Sequence, residues 1–425
     1  MQTKELLAGL KNHEFDERLK ALYVDEAVLE HQRARYIAAI EKYVELYGDG
    51  EVEIYSAPGR SEVGGNHTDH QHGRVLATSI NLDAIGVVGK VENTIKVLSD
   101  SFDIAPINVN ETEKVESEEG TSESLIRGVV SKFKELGFNV GGFNAYCTSE
   151  VLVGAGMSSS AAFEVLIGTI LSNVYNEGKV DAVEIAKIGQ YAENVYFGKP
   201  CGLMDQCASS VGGLINIDFI DPSKPVVRHV DVDFAAFKHS LCIVDTKGSH
   251  ADLTPDYAAV PQEMKAVAAY FGKEVLMEVN EDDFYANIAD IREKCGDRAV
   301  LRSMHLFEEN KRVDNQVAAL LNNDFDTFKY WLMSSGKSSY EYLQNVYSPR
   351  FPDRQAVSVA LALTEKIVGK HGAWRVHGGG FAGTIQAFVE DDYVETYKAE
   401  IEKCFGEGAC HVLKVRPEGG VKVIG

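Results

Sequence analysis

The chain has 425 residues, 45% hydrophobic and 25% charged, with a formal charge of −22. That length exceeds what one hydrophobic core usually supports, so two globular domains with a cleft between them are expected. A field of this sign repels phosphate backbones and anionic lipid, which removes nucleic acid and membrane surfaces as default partners. A nucleotide arriving with Mg²⁺ is still admitted, because local donors in a cleft outweigh distant charges screened over about 8 Å.

Seven scattered cysteines form no CxxC framework, so reduced thiols are expected. The first residues, MQTKELLAGLKNHEFDERLK, lack an apolar stretch of signal-peptide length. Nowhere do about 18 uncharged apolar residues run together, and the expected location is cytoplasmic. Residues 1–46 carry apolar positions at helical spacing (Leu6, Leu7, Leu10; Tyr36, Ile40, Tyr43) and predict a helical extension ending near Gly48. From Val52 to about Val109 short β-type runs alternate with turns, predicting a mostly antiparallel sheet. Helices are predicted over Thr121–Leu136, Ser158–Asn176 and Ala182–Phe197, with FNAYCTS (143–149) a strand. After GGLINIDF (212–219) and the strand SLCIVDT (240–246), helices dominate to about Lys370, followed by a strand, a glycine turn and a strand around 378–389. The division this suggests is an extension (1–46), a first domain (47–215) and a second (216–425).

Four segments concentrate chemistry. VGAGMSSSAA (153–162) joins a Gly-rich turn to serines and a helix, which offers free N–H groups at a positive helix end as an anion site; the alternative is a serine-capped helix after a loop. The chain has neither a GxxxxGK[ST] loop nor an HRD/DFG pair, so the two commonest ATP-phosphotransferase designs are unsupported. SAPGRSEVGGNHTDHQHG (56–73) gathers Arg60, Glu62, Asn66, His67, Asp69, His70 and His72 after a strand, a density that suits a polyhydroxylated ligand. A solvated turn or a metal site is the other reading, although the spacing matches no helical HExxH. AENVYFGKPCGLMDQ (192–206) places Glu193 near one helix end and Asp205 at the start of the next, where they can act as Mg²⁺ ligand and catalytic acceptor or simply begin a helix. RVHGGGFAGT (375–384) sets three glycines between strands, either a close approach to ligand or a plain turn.

In this order, SAPGR…HTD, VGAGMSSSAA, GKPCGLMDQ and GGGFAG resemble the GHMP superfamily of small-molecule kinases and, within it, the galactokinases. The similarity runs from about Val52 to Val389. It implies an α+β fold of two domains, the first like ribosomal protein S5 and the second ferredoxin-like, with ATP-dependent phosphorylation of a sugar 1-hydroxyl between them. Small-molecule sugar and ATP would be the partners, with Mg²⁺ as the metal. The resemblance implies that Gly154, Ala155, Gly156, Met157, Ser158, Ser159 and Ser160 hold ATP phosphates, and that Ser160 and Glu193 bind Mg²⁺. It makes Asp205 the residue that orients or deprotonates the hydroxyl, and Arg60 the group that stabilises phosphoryl charge and depresses the Asp205 pKa. Asn66, His67, Asp69, Gly202 and Tyr257 fall on sugar-binding positions.

The chain departs from the family pattern GRxNxIGEHTDY, reading GRSEVGGNHTDH: Glu62 stands for Asn, Gly64 for Ile, Asn66 for Glu and His70 for Tyr. The glutamate replaced by Asn66 is, in the family, a sugar contact near the 6-hydroxyl. Loss of such a charged acceptor is worth about 1.5–3 kcal/mol, and weaker repulsion of a C6 carboxylate makes a galacturonate-type substrate an alternative. Further departures are Ala259, Val260 and Pro261 for arginines, Gly336 for a frequent histidine, and Ala382 for glycine. A non-catalytic sugar and ATP sensor is a third reading; such proteins lose a Ser-Ala pair that stands here as Ser160-Ala161.

Overall fold

The computed structural model describes every residue except 101, 153–155 and 250–251, together with the side chains of 102 and 103. Gly154 and Ala155 of the expected phosphate loop therefore lie outside the described residues. Three helices open the chain: α1 (Thr3–Lys11), α2 (Asp16–Tyr23) and α3 (Leu29–Tyr47). In α3 Tyr36, Ile40 and Tyr43 fall on one buried face, and the helix stops at Gly48, whose φ of 85° suits glycine.

The first sheet is built on two long antiparallel strands, β1 (Glu53–Gly64) and β2 (Arg74–Lys90). It continues through β3 (Thr94–Ser99), the short β4 (Phe102–Asp103) and β5 (Ile107–Asn108), and, after α4 (Ser122–Glu135), β6 (Phe143–Ser149). Among the described residues only the β3–β6 pair is parallel. Helices α5 (Ser159–Asn176) and α6 (Ala182–Tyr191) follow, the latter running into a wider π-type turn over Ala192–Phe197, and then α7 (Met204–Val211). Ile54 and Tyr55 show how the pleat divides the work: Tyr55 packs in the core under α4, α5 and α6, whereas Ile54 packs against α1–α3 on the opposite face. The N-terminal helices thus close one side of the sheet.

β7 (Leu214–Asp218) pairs with β2 and with β8 (Val226–His229), so the division expected near residue 215 falls inside a strand of the first sheet. The second body has an antiparallel sheet in the order β10-β11-β9-β12, made of β9 (His239–Asp245), β10 (Gly372–Val376), β11 (Thr384–Glu390) and β12 (Cys410–Leu413). Between β9 and β10 lie α8 (Thr254–Tyr270), α9 (Glu281–Ala286), α10 (Ile288–Cys295), α11 (Asp297–Leu321), α12 (Phe325–Ser338) and α13 (Ala356–Val368). Helix α14 (Val394–Phe405) precedes β12, and the last strand, β13 (Val421–Ile424), returns to pair with β1. One core bridges the two bodies, joining Val63, Leu76, Ile80 and Met157 to Leu241, Ile243, Phe325, Phe328 and Phe388.

Asp83 of β2, fully buried, draws the parts of the first body together. It accepts from Tyr23 Oη (2.8 Å), Arg35 Nη1 (2.6 Å), Arg416 Nη1 (2.9 Å) and Ser56 Oγ, donors from α2, α3, the segment before β13, and β1. Burial alone would raise its pKa, but the two guanidinium groups outweigh that and hold it below the usual carboxylate range. Asp83→Ala leaves buried cations without their common partner, a defect that costs about 3–5 kcal/mol; the expected outcome is a matching fall in the urea midpoint of unfolding.

Candidate active site

Bulges between Pro58 and Arg60 and between Glu62 and Gly64 bracket the part of β1 that faces the cleft, and such irregularities re-aim side chains. Arg60 emerges between them. Its Nε and Nη2 donate to Asp205 Oδ1 (2.7 Å) and Oδ2 (2.6 Å), a two-point pair at the start of α7, while Nη1 donates to the Gly156 carbonyl. The Arg60 amide donates to the Met157 carbonyl at 3.1 Å. One arginine therefore ties the loop preceding α5 to the aspartate. Burial pushes the Asp205 pKa up, but Arg60 and the Ser158 hydroxyl more than offset this and leave it below the ordinary range, in the direction expected from the sequence.

The serines divide their tasks. Ser158, at a left-handed φ of 56°, turns its hydroxyl onto Asp205; Ser159 begins α5; Ser160 Oγ donates to Glu193 Oε1 at 3.1 Å. Met157 has its side chain in the core. Glu193 sits in the π-type turn and also accepts from Lys199 Nζ (3.0 Å) and Gln206 Nε2 (2.9 Å). A hydroxyl and a carboxylate side by side form a hard-oxygen pair that fits Mg²⁺.

On the other side of Asp205 lies Asp69, raised to about 6 by burial and by the neighbouring negative charge of Asp205, against which the His70 amide donates to its Oδ1 at 2.9 Å. Gly202 lies against this carboxylate: a methyl group at that position would sit 2.0 Å from Asp69 Oδ2 unless the aspartate side chain moved. The three glycines after β10 complete the border. Asn66 Nδ2 donates to Gly378 O (2.6 Å), His67 Nε2 to Gly379 O (3.0 Å) and Tyr257 Oη to Gly380 O (2.8 Å). Burial lowers the pKa of His67 to about 4 and of His70 to about 3, so both rings are neutral. Because a carbonyl only accepts, His67 carries its proton on Nε2, and its Nδ1 accepts from His70 Nε2 at 3.2 Å. The sequence places Asn66 at the sugar; the structure finds it fully buried, its amide nitrogen shared between Glu62 and Gly378 and its oxygen accepting from Asn345 Nδ2 at 2.8 Å.

Residues 124–213 match the GHMP kinases N terminal domain, and residues 41–90 match the galactokinase galactose-binding signature. The chain is 30% identical over 367 residues to the galactokinase of Actinobacillus pleuropneumoniae serotype 5b, covering 84% of this chain and 90% of the relative. It is 31% identical to that of Thermotoga petrophila, covering 80% and 93%. The chain belongs to the galactokinase family. Its fold is that of the GHMP kinases: a Lactococcus lactis galactokinase solved in complex with galactose superposes with a TM-score of 0.75 at 24% identity, covering 90% of this chain and 98% of that one. A mevalonate kinase follows at 0.61 and 16%, covering 86% and 99%.

Within this galactokinase-family site, several residues escape a reading of motifs. Glu164 is the sole charged residue of α5, an outlier that a helical pattern could have flagged. It is buried and its pKa lies well above the ordinary value, because of burial and the nearby Glu193. Gln206 links it to the site, donating from Nε2 to Glu164 Oε2 (3.0 Å) as well as to Glu193. His377, in the RVHGGG segment, lies directly beneath Gly156 and bonds Thr384 Oγ1 through Nδ1 (2.9 Å) and Ser61 Oγ through Nε2 (3.1 Å). Among the described residues no helix is long and apolar enough to cross a membrane.

Burial and the facing cations Arg60 and Arg375 lower the His377 pKa to about 3. An unfolded histidine takes up a proton below about pH 6.5 while the native one does not, so this residue contributes stability that falls as the pH falls through 6.5. Between pH 7 and 5 that contribution is about 2 kcal/mol. His377→Gln should shrink the acid-side loss of stability by about that amount relative to the parent, as read from urea midpoints at the two pH values.

Proposed function

We propose that this chain is an ATP-dependent sugar 1-kinase that transfers the γ-phosphoryl group of ATP to the anomeric hydroxyl of galactose, giving galactose 1-phosphate and ADP. The observation that carries this reading is the two-point Arg60–Asp205 pair set between the start of α5 and Asp69. The galactokinase relatives and the fold support it from outside the site.

Asp205 is ionised and a weak base, since Arg60 and Ser158 stabilise its charge. Its role is to orient the sugar hydroxyl and to accept the proton late, once bonding of that oxygen to phosphorus has made the hydroxyl acidic. Arg60, anchored on Asp205 and on the Gly156 carbonyl, places a permanent positive charge next to the loop that holds the phosphates. Ser160 and Glu193 would hold Mg²⁺, which when bound neutralises phosphate charge. Asp69, Gly202, His67 and Tyr257 border the sugar, Asp69 as hydroxyl acceptor and the other three by shaping the pocket and fixing the glycine loop.

The galacturonate alternative drew on weaker repulsion of a C6 carboxylate at position 66; Glu62 keeps a carboxylate 3.0 Å from the Asn66 amide, which is itself engaged within the protein. The sensor alternative is disfavoured by the intact Arg60, Asp205 and Ser160-Ala161. ADP release measured across galactose, N-acetylgalactosamine, galacturonate and glucuronate should be fastest with galactose; turnover of none of them would overturn the kinase reading. Asp205→Ala should reduce kcat by about 10²–10⁴-fold with little change in the KM for ATP. Near-normal turnover in that variant would remove Asp205 from the chemistry.

A further inference from the structure

Three of the positions at which this chain leaves its family's pattern, 62, 66 and 336, meet at one place. Glu62 and Asn66 stand where the family has Asn and Glu, an exchange of the same two residue types, and they touch: Asn66 Nδ2 donates to Glu62 Oε1 at 3.0 Å. Glu62 Oε1 also accepts from Arg375 Nη2 at 2.8 Å, and Arg375 Nη1 donates to the Val63 carbonyl at 2.9 Å. Arg375 is 1%, Glu62 5% and Asn66 0% exposed, so the charges neutralise one another out of reach of water. Gly336 makes room for the cation: a methyl group there would lie 2.9 Å from the Arg375 Cβ and 3.2 Å from the Trp374 carbonyl.

The chemistry at each position requires the other. An amide at 66 can donate to a carboxylate and to the Gly378 carbonyl together; a carboxylate at 66 could donate to neither and would face Glu62 at hydrogen-bond distance. An amide at 62 would leave Arg375 buried without its counter-charge. The pair also reaches the site, because Gly378 belongs to the glycine loop whose next two carbonyls accept from His67 and Tyr257. Asn345 fastens the same loop, donating to both Asn66 Oδ1 and Gly379 O (3.2 Å).

We propose that Glu62, Asn66 and Arg375 act as one positioning unit that fixes the 378–380 loop against the sugar side of the site, so that the exchange at 62 and 66 relocates a carboxylate instead of removing one from the substrate. Position 66 then sets sugar affinity through the loop, without touching sugar. This rests on the sugar-kinase reading for its kinetic part but not for its structural part.

The test is a double-mutant cycle on the full chain: Glu62→Asn, Asn66→Glu, and both together. Thermal midpoints without ligand report coupling whatever the substrate, and steady-state kinetics with galactose and ATP report the site. Each single change should lower the midpoint and raise the KM for galactose by about 10-fold or more, with the KM for ATP within about 2-fold; the double, which again holds one carboxylate and one amide but lacks the bond from position 66 to Gly378, should lose clearly less than the two single losses combined, a non-additive result. Additive losses in the double variant, or single variants with an unchanged galactose KM in an active enzyme, would overturn the proposal. If the parent turns over no sugar, the kinase reading fails while the midpoint cycle still decides for or against the unit. Should the single variants be insoluble, Glu62→Gln and Arg375→Gln, singly and combined, provide a milder cycle: recovery in the neutral pair supports the unit, and additive loss rejects it.

Discussion

A buried guanidinium must be paired or the fold does not tolerate it, and the arrangement of this site follows from how Arg60 meets that demand. Asp205 supplies the charge, and the Gly156 carbonyl takes a remaining donor. To satisfy one side chain, the edge of β1, the turn before α5 and the first turn of α7 must therefore converge. The bulges on either side of Arg60 let a strand otherwise locked into the sheet present its side chains to that convergence.

The same pairing separates two carboxylates that share the cleft. Asp205, with an arginine and a hydroxyl on its oxygens, is held in its charged form, whereas Asp69, buried with its neighbour's negative charge close by, is pushed up to about 6. Environment, not residue type, sets the two apart. Around them neutral histidines supply directional hydrogen bonds without adding charge: His67 and His70 on the glycine loop side, His377 beneath Gly156.

Much of this was legible in residue order. Apolar spacing marked α3, α4 and α5, short β-type runs marked β1, β6 and β9, and the Gly-Ser junction marked where α5 begins. Residues widely separated in the chain meet in two pairs, Arg60 with Asp205 and Ser160 with Glu193. The surroundings of Asn66 were not legible, because its partners lie 279 and 312 residues away and local pattern carries no information about them. Nor could periodicity say what the apolar face of the opening helices would cover; it showed that a face existed, while the sheet surface that receives it is assembled from strands at both ends of the sequence. Ser158, which the resemblance placed among the phosphate-holding residues, has a left-handed backbone that turns its hydroxyl onto the aspartate.

The return of β13 to the edge of β1 has a consequence for how the molecule is made. The strand that closes that edge is made after every other element of the first body, and Arg416, a buried partner of Asp83, shortly before it. Until then Asp83 has only Arg35 of its two arginines, and the first body keeps an open strand edge, the kind of surface that pairs wrongly with other chains. Completion of the first body is thus deferred until the second body has been made.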